Sequence, residues 1–220
     1  MTGLHDYRAL YAVPGLYEAV YRVRLGMRSP QLLAQVLASV CPVRRDQLQV
    51  LDVGAGTGCV GAALSTAGFR RVAGTDLEPA SIIAIGRDRG AIYTSARRMT
   101  SSRWSSATSK LAAPTATDVG WLTQLAPDVV TVAGAIGWDH LPVAAFHTLT
   151  RLLRPGALLA ATVSQGYASV PELADYVELF IGAAYRERAR RDGLHRWTAQ
   201  GTPMHVTALV LERTTASESR

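Results

Sequence analysis

Cysteine is nearly missing from this chain: two occur in 220 residues, Cys41 and Cys59. They have no CxxC spacing and no neighbouring histidine cluster, so neither a disulfide framework nor a cysteine metal site is expected. No apolar run approaches the roughly 20 residues that span a bilayer. The start, Met1-Thr2-Gly3-Leu4-His5-Asp6, lacks the basic-then-apolar order of a secretory signal, so a cytoplasmic location is the expectation. Lysine is reduced to Lys110 alone, and arginine carries the net charge of +6. The arginines are scattered except for Arg186-Glu187-Arg188-Ala189-Arg190-Arg191, which reads as the solvated end of a helix. That scatter argues against nucleic acid as a partner. Acidic residues are absent between Asp88 and Asp118.

What is present fits one globular α/β domain. Hydrophobic residues make up 48% and charged residues 18%, the balance of a folded chain rather than a disordered one. The length suffices for one core with a small cap and is short for two full domains. Residues 1–47 read as an N-terminal helical cap. In it Tyr7, Leu10, Tyr11, Leu16, Val20 and Val23 recur at roughly helical spacing, interrupted by Pro14-Gly15. Ser29-Pro30 then starts a second helix, with serine as the cap and proline in the first turn. Its apolar face is Leu32, Leu33, Val36, Leu37 and Val40, and Pro42 stops it.

Residues 48–213 alternate strand and helix, and 214–220 form a tail. Strands are expected at 48–53, 71–76, 128–133, 157–163 and 205–211, with helices at 57–66, 79–87, 143–153 and 172–191. This alternation predicts a Rossmann-like, mostly parallel sheet with helices on both faces. The turn at Gly201-Thr202-Pro203 predicts an antiparallel hairpin at the sheet edge, with its other arm near 195–198. Thr94 to Ser109, rich in Ser, Thr and Arg, reads as an irregular surface loop, with an ordered lid over a substrate as the alternative.

The chemistry concentrates in Asp52-Val53-Gly54-Ala55-Gly56-Thr57-Gly58. Glycines between a strand and a helix allow torsions that a Cβ forbids, and they let a ligand sit against the main chain. The helix that follows offers N–H groups without intrahelical partners. Asp52 ends the strand beside this crevice, where a carboxylate can pair, directly or through water, with a cationic amino-acid group of a ligand. Asp76 ends the next strand, close to the spacing of about 20 residues that ribose recognition uses in nucleotide-binding βαβ units. A helix N-cap is the alternative role for Asp76, and the two can coexist. Leu77 is placed to cover one face of an adenine ring.

Gly56-Thr57-Gly58-Cys59-Val60-Gly61 also satisfies GxGxxG, which keeps an NAD(P)-dependent oxidoreductase open as a second reading. Three features weigh against it: the long helical lead, an Asp52 that would repel a pyrophosphate, and the short chain left for a substrate domain. Val50-Leu51-Asp52-Val53-Gly54-Ala55-Gly56-Thr57-Gly58 resembles motif I of the class I S-adenosylmethionine (SAM)-dependent methyltransferases. Gly74-Thr75-Asp76-Leu77 resembles their ribose-binding motif, and Leu152-Leu153-Arg154-Pro155-Gly156-Ala157-Leu158 the turn into their fifth strand. Tyr11-Ala12-Val13-Pro14-Gly15-Leu16-Tyr17-Glu18 and Arg87-Asp88-Arg89-Gly90-Ala91-Ile92-Tyr93 are similar to a bacterial, poorly characterised branch.

The resemblance implies a seven-stranded sheet of order 3-2-1-4-5-7-6 with a reversed last hairpin. It implies SAM as cofactor, held by Asp52, Gly54, Ala55, Gly56, Gly58, Asp76 and Leu77, with Gly134 and Ala135 leaving room for its methionine part. One departure stands out. The family places an acid after the third strand, against the adenine amino group. Here the first acid after Tyr93 is Asp118, a candidate for that role or for a cap on the helix holding Val119-Gly120-Trp121-Leu122.

The acceptor side is expected at the end of the fourth strand, Ala133-Gly134-Ala135-Ile136-Gly137-Trp138-Asp139-His140. Trp138 would line the acceptor pocket. His140 is the candidate general base because its pKa lies near neutrality, although Asp139-His140-Leu141-Pro142 also reads as a turn into a helix. Tyr7, Tyr11, Tyr17 and Tyr21 form either an aromatic cap over the acceptor or glue between the first helices and the sheet. The Asn/Asp-Pro-Pro-Tyr/Phe run that resembles DNA and amide nitrogen methylators is absent, as is an aromatic-rich RNA-binding module. A small-molecule acceptor is therefore expected, with a protein that binds SAM without methylating as a further alternative and a homodimer left open.

Overall fold

A computed structural model of the chain describes residues 6–98, 116–136, 150, 153–165 and 184–214. Helix α1 (Tyr7–Ala12) starts under Asp6, whose carboxylate accepts from the Ala9 N–H. A π-helical turn (Glu18–Arg24) and helix α2 (Ser29–Val40) follow. Strands β1 (Gln49–Val53), β2 (Arg71–Asp76), β3 (Tyr93–Arg98), β4 (Val129–Val132) and β5 (Leu158–Ser164) come next. Between them lie α3 (Cys59–Thr66), α4 (Pro79–Arg89) and α5 (Ala116–Leu125). Strands β6 (Tyr185–Trp197) and β7 (Pro203–Arg213) complete one seven-stranded sheet of order β3-β2-β1-β4-β5-β7-β6.

β1 to β5 pair in parallel and β7 runs antiparallel to both of its neighbours. This is the expected order with the expected reversed hairpin. The central strands are runs of apolar residues because both of their faces are covered. Leu51, Val53, Val130, Val132 and Leu159 pack on one face with Leu122 of α5. Val50, Val72, Val129 and Val210 pack on the other with Val60 and Leu64 of α3 and Leu33, Val36 and Leu37 of α2. Residues 29–40 thus belong to the main core, so no break in packing separates α2 from the sheet.

Four expectations are corrected. The run Arg186 to Arg191 is not a helix end but lies in strand β6. Arg186 and Arg188, two residues apart, both reach Glu212 on β7, which is strand periodicity. An edge strand with one partner needs little apolar surface, and cations on it discourage further pairing. For the same reason Thr94 to Arg98 read as irregular, yet they form β3 on the opposite edge, where only Tyr93 is buried. Val23 is 81% exposed, because the π-helical turn winds wider than an α-helix and brings Tyr21 and Leu25 inward instead. Ser29 is the first residue of α2 rather than its cap, and its hydroxyl makes no capping bond. The Ser/Thr/Arg stretch beyond residue 98, the expected helix at 143–153 and most of that at 172–191 lie outside the described residues, as does nearly all of the 214–220 tail.

Candidate functional site

β1 ends in the turn that carries the glycines. Gly54 and Gly56 have φ of +70° and +55°, the left-handed region open to glycine. Gly54 N–H and Ala55 N–H both donate to the Thr75 carbonyl, so the loop folds back over the end of β2. A Cβ on Gly54 would stand 2.8 Å from the Ala135 Cβ, and one on Gly56 would stand 2.9 Å from the Tyr11 hydroxyl oxygen. Neither position has room for a side chain.

Asp76, at the end of β2, faces the same space. Its Oδ2 accepts from the Gly56 N–H at 2.8 Å and its Oδ1 from the Glu78 N–H at 2.9 Å. Burial raises its pKa against the pull of these bonds. The N-cap of α4 is Glu78, whose carboxylate accepts from the Ala80 N–H. Asp76 therefore braces the glycine loop and leaves helix capping to its neighbour.

These residues line a cavity of about 400 Å³ at the carboxyl ends of the parallel strands. Gly54, Ala55, Gly56, Asp76 and Leu77 form one wall, and Gly134, Ala135 and Ile136 after β4 form another. The Gly134 N–H is held by Thr162 Oγ1 at 3.0 Å. Tyr7, Tyr11, Tyr17 and Tyr21 close a third side. Successive ring centroids stand 5.8, 5.4 and 4.5 Å apart, the last pair stacked. Burial and the nearby Asp76 push the Tyr11 hydroxyl well above its usual range, and burial does the same for Tyr17, so both are neutral phenols. The structure thus places Gly54, Ala55, Gly56, Asp76, Leu77, Gly134 and Ala135 in one cavity with Tyr11, Tyr17 and Tyr21.

Two residues expected at the cofactor, Asp52 and Gly58, do not line this cavity. Asp52 is 1% exposed and does not reach the cavity. It points into the α3 side of the sheet, where Tyr93 OH donates to Oδ2 at 2.7 Å and Thr131 Oγ1 donates to Oδ1 at 2.8 Å. Burial raises its pKa to about 6, with the two hydroxyls pulling the other way. Its role is to join β1 to β3 and β4. At Gly58 a Cβ would stand 2.9 Å from both Arg89 Cγ and Tyr93 Cε2, neither of which lines the cavity. Asp118 lies in α5 with its side chain outside the described residues. Trp138 and His140 are also outside them.

Other residues that line or brace the cavity were not favoured for it from the sequence. Glu18 Oε1 accepts from Thr57 Oγ1 at 2.8 Å and from Arg89 Nη2 at 3.1 Å, tying the tyrosine segment to the glycine loop and to the end of α4. Ser29, His195, Arg196 and Met204 line the cavity from the β6–β7 side. Tyr93 had a readable signal. Three glycines, Gly58, Gly61 and Gly74, each lack a Cβ that would come within 2.9 Å of its ring, and a cluster of glycines on neighbouring elements calls for one large side chain between them.

No family profile matches the sequence, and no curated protein matches it. Solved structures do resemble the fold. One, described under the conversion of a disulfide bond into a thioacetal group during echinomycin biosynthesis, is 19% identical over 92% of this chain and 93% of that one, with a TM-score of 0.54. A SAM-dependent methyltransferase from Anabaena variabilis is 11% identical over 83% of each chain, with a TM-score of 0.55. The N-methyltransferase NodS from Bradyrhizobium japonicum is 12% identical over 84% of this chain and 94% of that one, with a TM-score of 0.53. With the strand order above, the chain has the class I SAM-dependent methyltransferase fold.

Proposed function

We propose that this protein binds SAM in the cavity between the glycine loop, Asp76 and the tyrosine wall, and transfers its methyl group to a small-molecule acceptor. One observation carries the reading. A carboxylate at the end of β2 is clamped by the Gly56 and Glu78 N–H groups beside two glycines that admit no Cβ. That is a rigid acceptor for a ribose diol next to a bare main chain.

The residues present fit such a ligand. Asp76 would take the ribose hydroxyls, Leu77 would cover the adenine, and Gly134 with Ala135 would leave space for the amino-acid part. When bound, SAM supplies a methyl group already activated by a sulfonium. The protein then has to align the acceptor and exclude water. The tyrosine wall does the second, since its rings stack over the cavity and remain uncharged. The neighbours' names cover different acceptors, so the small-molecule part rests on the modest, ring-lined cavity and on the scattered arginines.

Calorimetry tests the reading. S-adenosylhomocysteine should bind and NAD should not. Asp76→Asn should weaken S-adenosylhomocysteine by about 1–3 kcal/mol, the worth of hydrogen bonds to a charged group. NAD binding without a response to S-adenosylhomocysteine would refute it.

A further inference from the structure

The β6–β7 side of the cavity is chemically unlike the Asp76 side. Among the described residues its lining includes Ser29, Met27, Tyr21, His195, Arg196 and Met204. Both described carboxylates of the cavity, Asp76 and Glu78, follow β2, and the sheet order puts β2 and β6 on opposite sides of β1 and β4.

His195 is held hard in this wall. Its Nδ1 lies 2.8 Å from Ser29 Oγ, a hydroxyl on a residue only 3% exposed. Its carbonyl accepts from the Arg28 N–H at 2.8 Å, and two residues on the Trp197 N–H donates to the Leu25 carbonyl at 2.7 Å. These bonds fasten β6 to the segment entering α2 on either side of the imidazole. Nδ1 is taken by Ser29, which leaves Nε2 as the nitrogen available to a ligand. Arg196 stacks its guanidinium over Tyr21 at 5.6 Å and has no carboxylate partner among the described residues. Its Nη1 donates to the Trp197 carbonyl.

We propose that this half of the cavity is the acceptor subsite, that it takes an aromatic hydroxyl compound bearing an acidic group, and that His195 Nε2 removes the hydroxyl proton. The proposal rests on the SAM reading above. Tyr21, Met27 and Met204 offer rings and polarizable sulfur to an aromatic face. Arg196 draws the acidic group. Ser29 is a positioning residue: its hydroxyl holds Nδ1, and in the proposed tautomer it accepts from Nδ1–H and leaves Nε2 unprotonated. In the transfer, the acceptor oxygen bonds to the methyl carbon as the carbon–sulfur bond breaks. The sulfur keeps the electron pair, the hydroxyl proton passes to Nε2, and the imidazolium releases it to solvent.

Ser29 of α2 bonds the imidazole and Arg196 on its own strand acts on it electrostatically, while Tyr21 of the π-helical turn and Met204 of β7 share its wall of the cavity. No carboxylate among them would raise its pKa. Burial first, and then Arg196, lower it to about 4. The ring is therefore neutral through the physiological range and ready to accept.

The test uses the full chain with nitrogen-15 histidine. S-adenosylhomocysteine affinity is measured first by calorimetry, so a failure of the cofactor reading is separated from a failure here. At about pH 7 the His195 ring should be neutral with the proton on Nδ1, and Ser29→Ala should erode that tautomer preference. Adding 4-hydroxybenzoate, salicylate or caffeate to the S-adenosylhomocysteine complex should shift the Nε2 resonance for at least one of them. For that compound, Arg196→Gln should raise KM about tenfold with little change in kcat. His195→Gln should lower kcat about 10²–10⁴-fold and leave S-adenosylhomocysteine binding intact. A ring that is charged at about pH 7, or one that responds to no hydroxy acid of the set, overturns the proposal.

Discussion

Removing one oxygen, by Tyr93→Phe, tests the interior logic of the glycine loop. The Tyr93 hydroxyl donates to Asp52 Oδ2 at 2.7 Å and accepts from the Gly61 N–H at 3.1 Å. Gly61 lies in the first turn of α3, where N–H groups have no intrahelical partner, and the N-cap Gly58 has no side chain to supply one. The phenol therefore caps α3 from β3 while holding the carboxylate of β1. Phenylalanine keeps the ring and loses both bonds. A buried N–H without a partner costs about 1–3 kcal/mol, and a hydrogen bond to a charged group is worth about 1.5–3 kcal/mol. The second cost depends on pH. Burial holds the Asp52 pKa at about 6, and the Tyr93 hydroxyl lowers it by favouring the ionised form. Well below that value the carboxyl is protonated and the charge-assisted part of the bond is gone. The loss should be about 3 kcal/mol or more at about pH 8 and smaller by about 1–2 kcal/mol at about pH 4.5. Urea unfolding of wild type and variant at the two pH values, read as the midpoint shift at constant slope, measures both. A loss under about 0.5 kcal/mol, or one of equal size at both pH values, would refute the account of Tyr93 as a cap and carboxylate partner.

The same network gives further expectations. Asp52 has a folded pKa near 6 against 3.8 for the free group. The folded state therefore binds its proton more tightly, so this residue favours folding below about pH 4, and the advantage is lost as pH rises through about 6. The span is about 3 kcal/mol, and Asp52→Asn should flatten the stability–pH curve across it in a chemical-denaturation series. Gly61→Ala would set a Cβ 2.4 Å from Tyr93 Cζ. A thermal melt should show it destabilised by about 2–3 kcal/mol, and since overpacking is the cause, the double variant with Tyr93→Leu should lose less than the sum of the two single losses. Glu212→Gln breaks surface pairs with Arg186 and Arg188 and should cost under about 1 kcal/mol in the same assay.

The parts of the fold legible in the sequence are those set by local chemistry. The buried strands β1, β4 and β5 read as apolar runs because both faces are covered, and α3 and α4 followed from the glycines and from Pro79. The edge β3 and the part of β6 before His195 did not read as strands, since hydrophobic alternation fades where one side has no partner and solvent covers a face. The wide winding at 18–24 departs from a period of 3.6, so Val23, counted in the helical spacing, faces solvent.

The site divides in the same way. Gly54, Gly56 and Asp76 are adjacent in the fold because they are ends of neighbouring strands, which a βαβ pattern encodes. Asp52 sits at the end of β1 as expected, but strand alternation sends its carboxylate to the α3 face, two residues before the chain turns toward the cavity. The last glycines of GxGxxG then take on a different meaning. Gly58 and Gly61 make room for Tyr93, a residue of the third strand, and not for a pyrophosphate. Two of the three glycines that kept a dinucleotide in view are thus a packing signature for one phenol, and the glycines of this loop that line the cavity are Gly54 and Gly56. Ser29 and His195 meet across 166 positions, and nothing local to either residue announces the other. Their contact exists because α2 packs on β6 and carries its first residue to the mouth of the cavity. The Asp76 side of the cavity is written in neighbouring motifs, whereas the β6–β7 side is assembled from segments far apart in the chain, which only the folded form brings together.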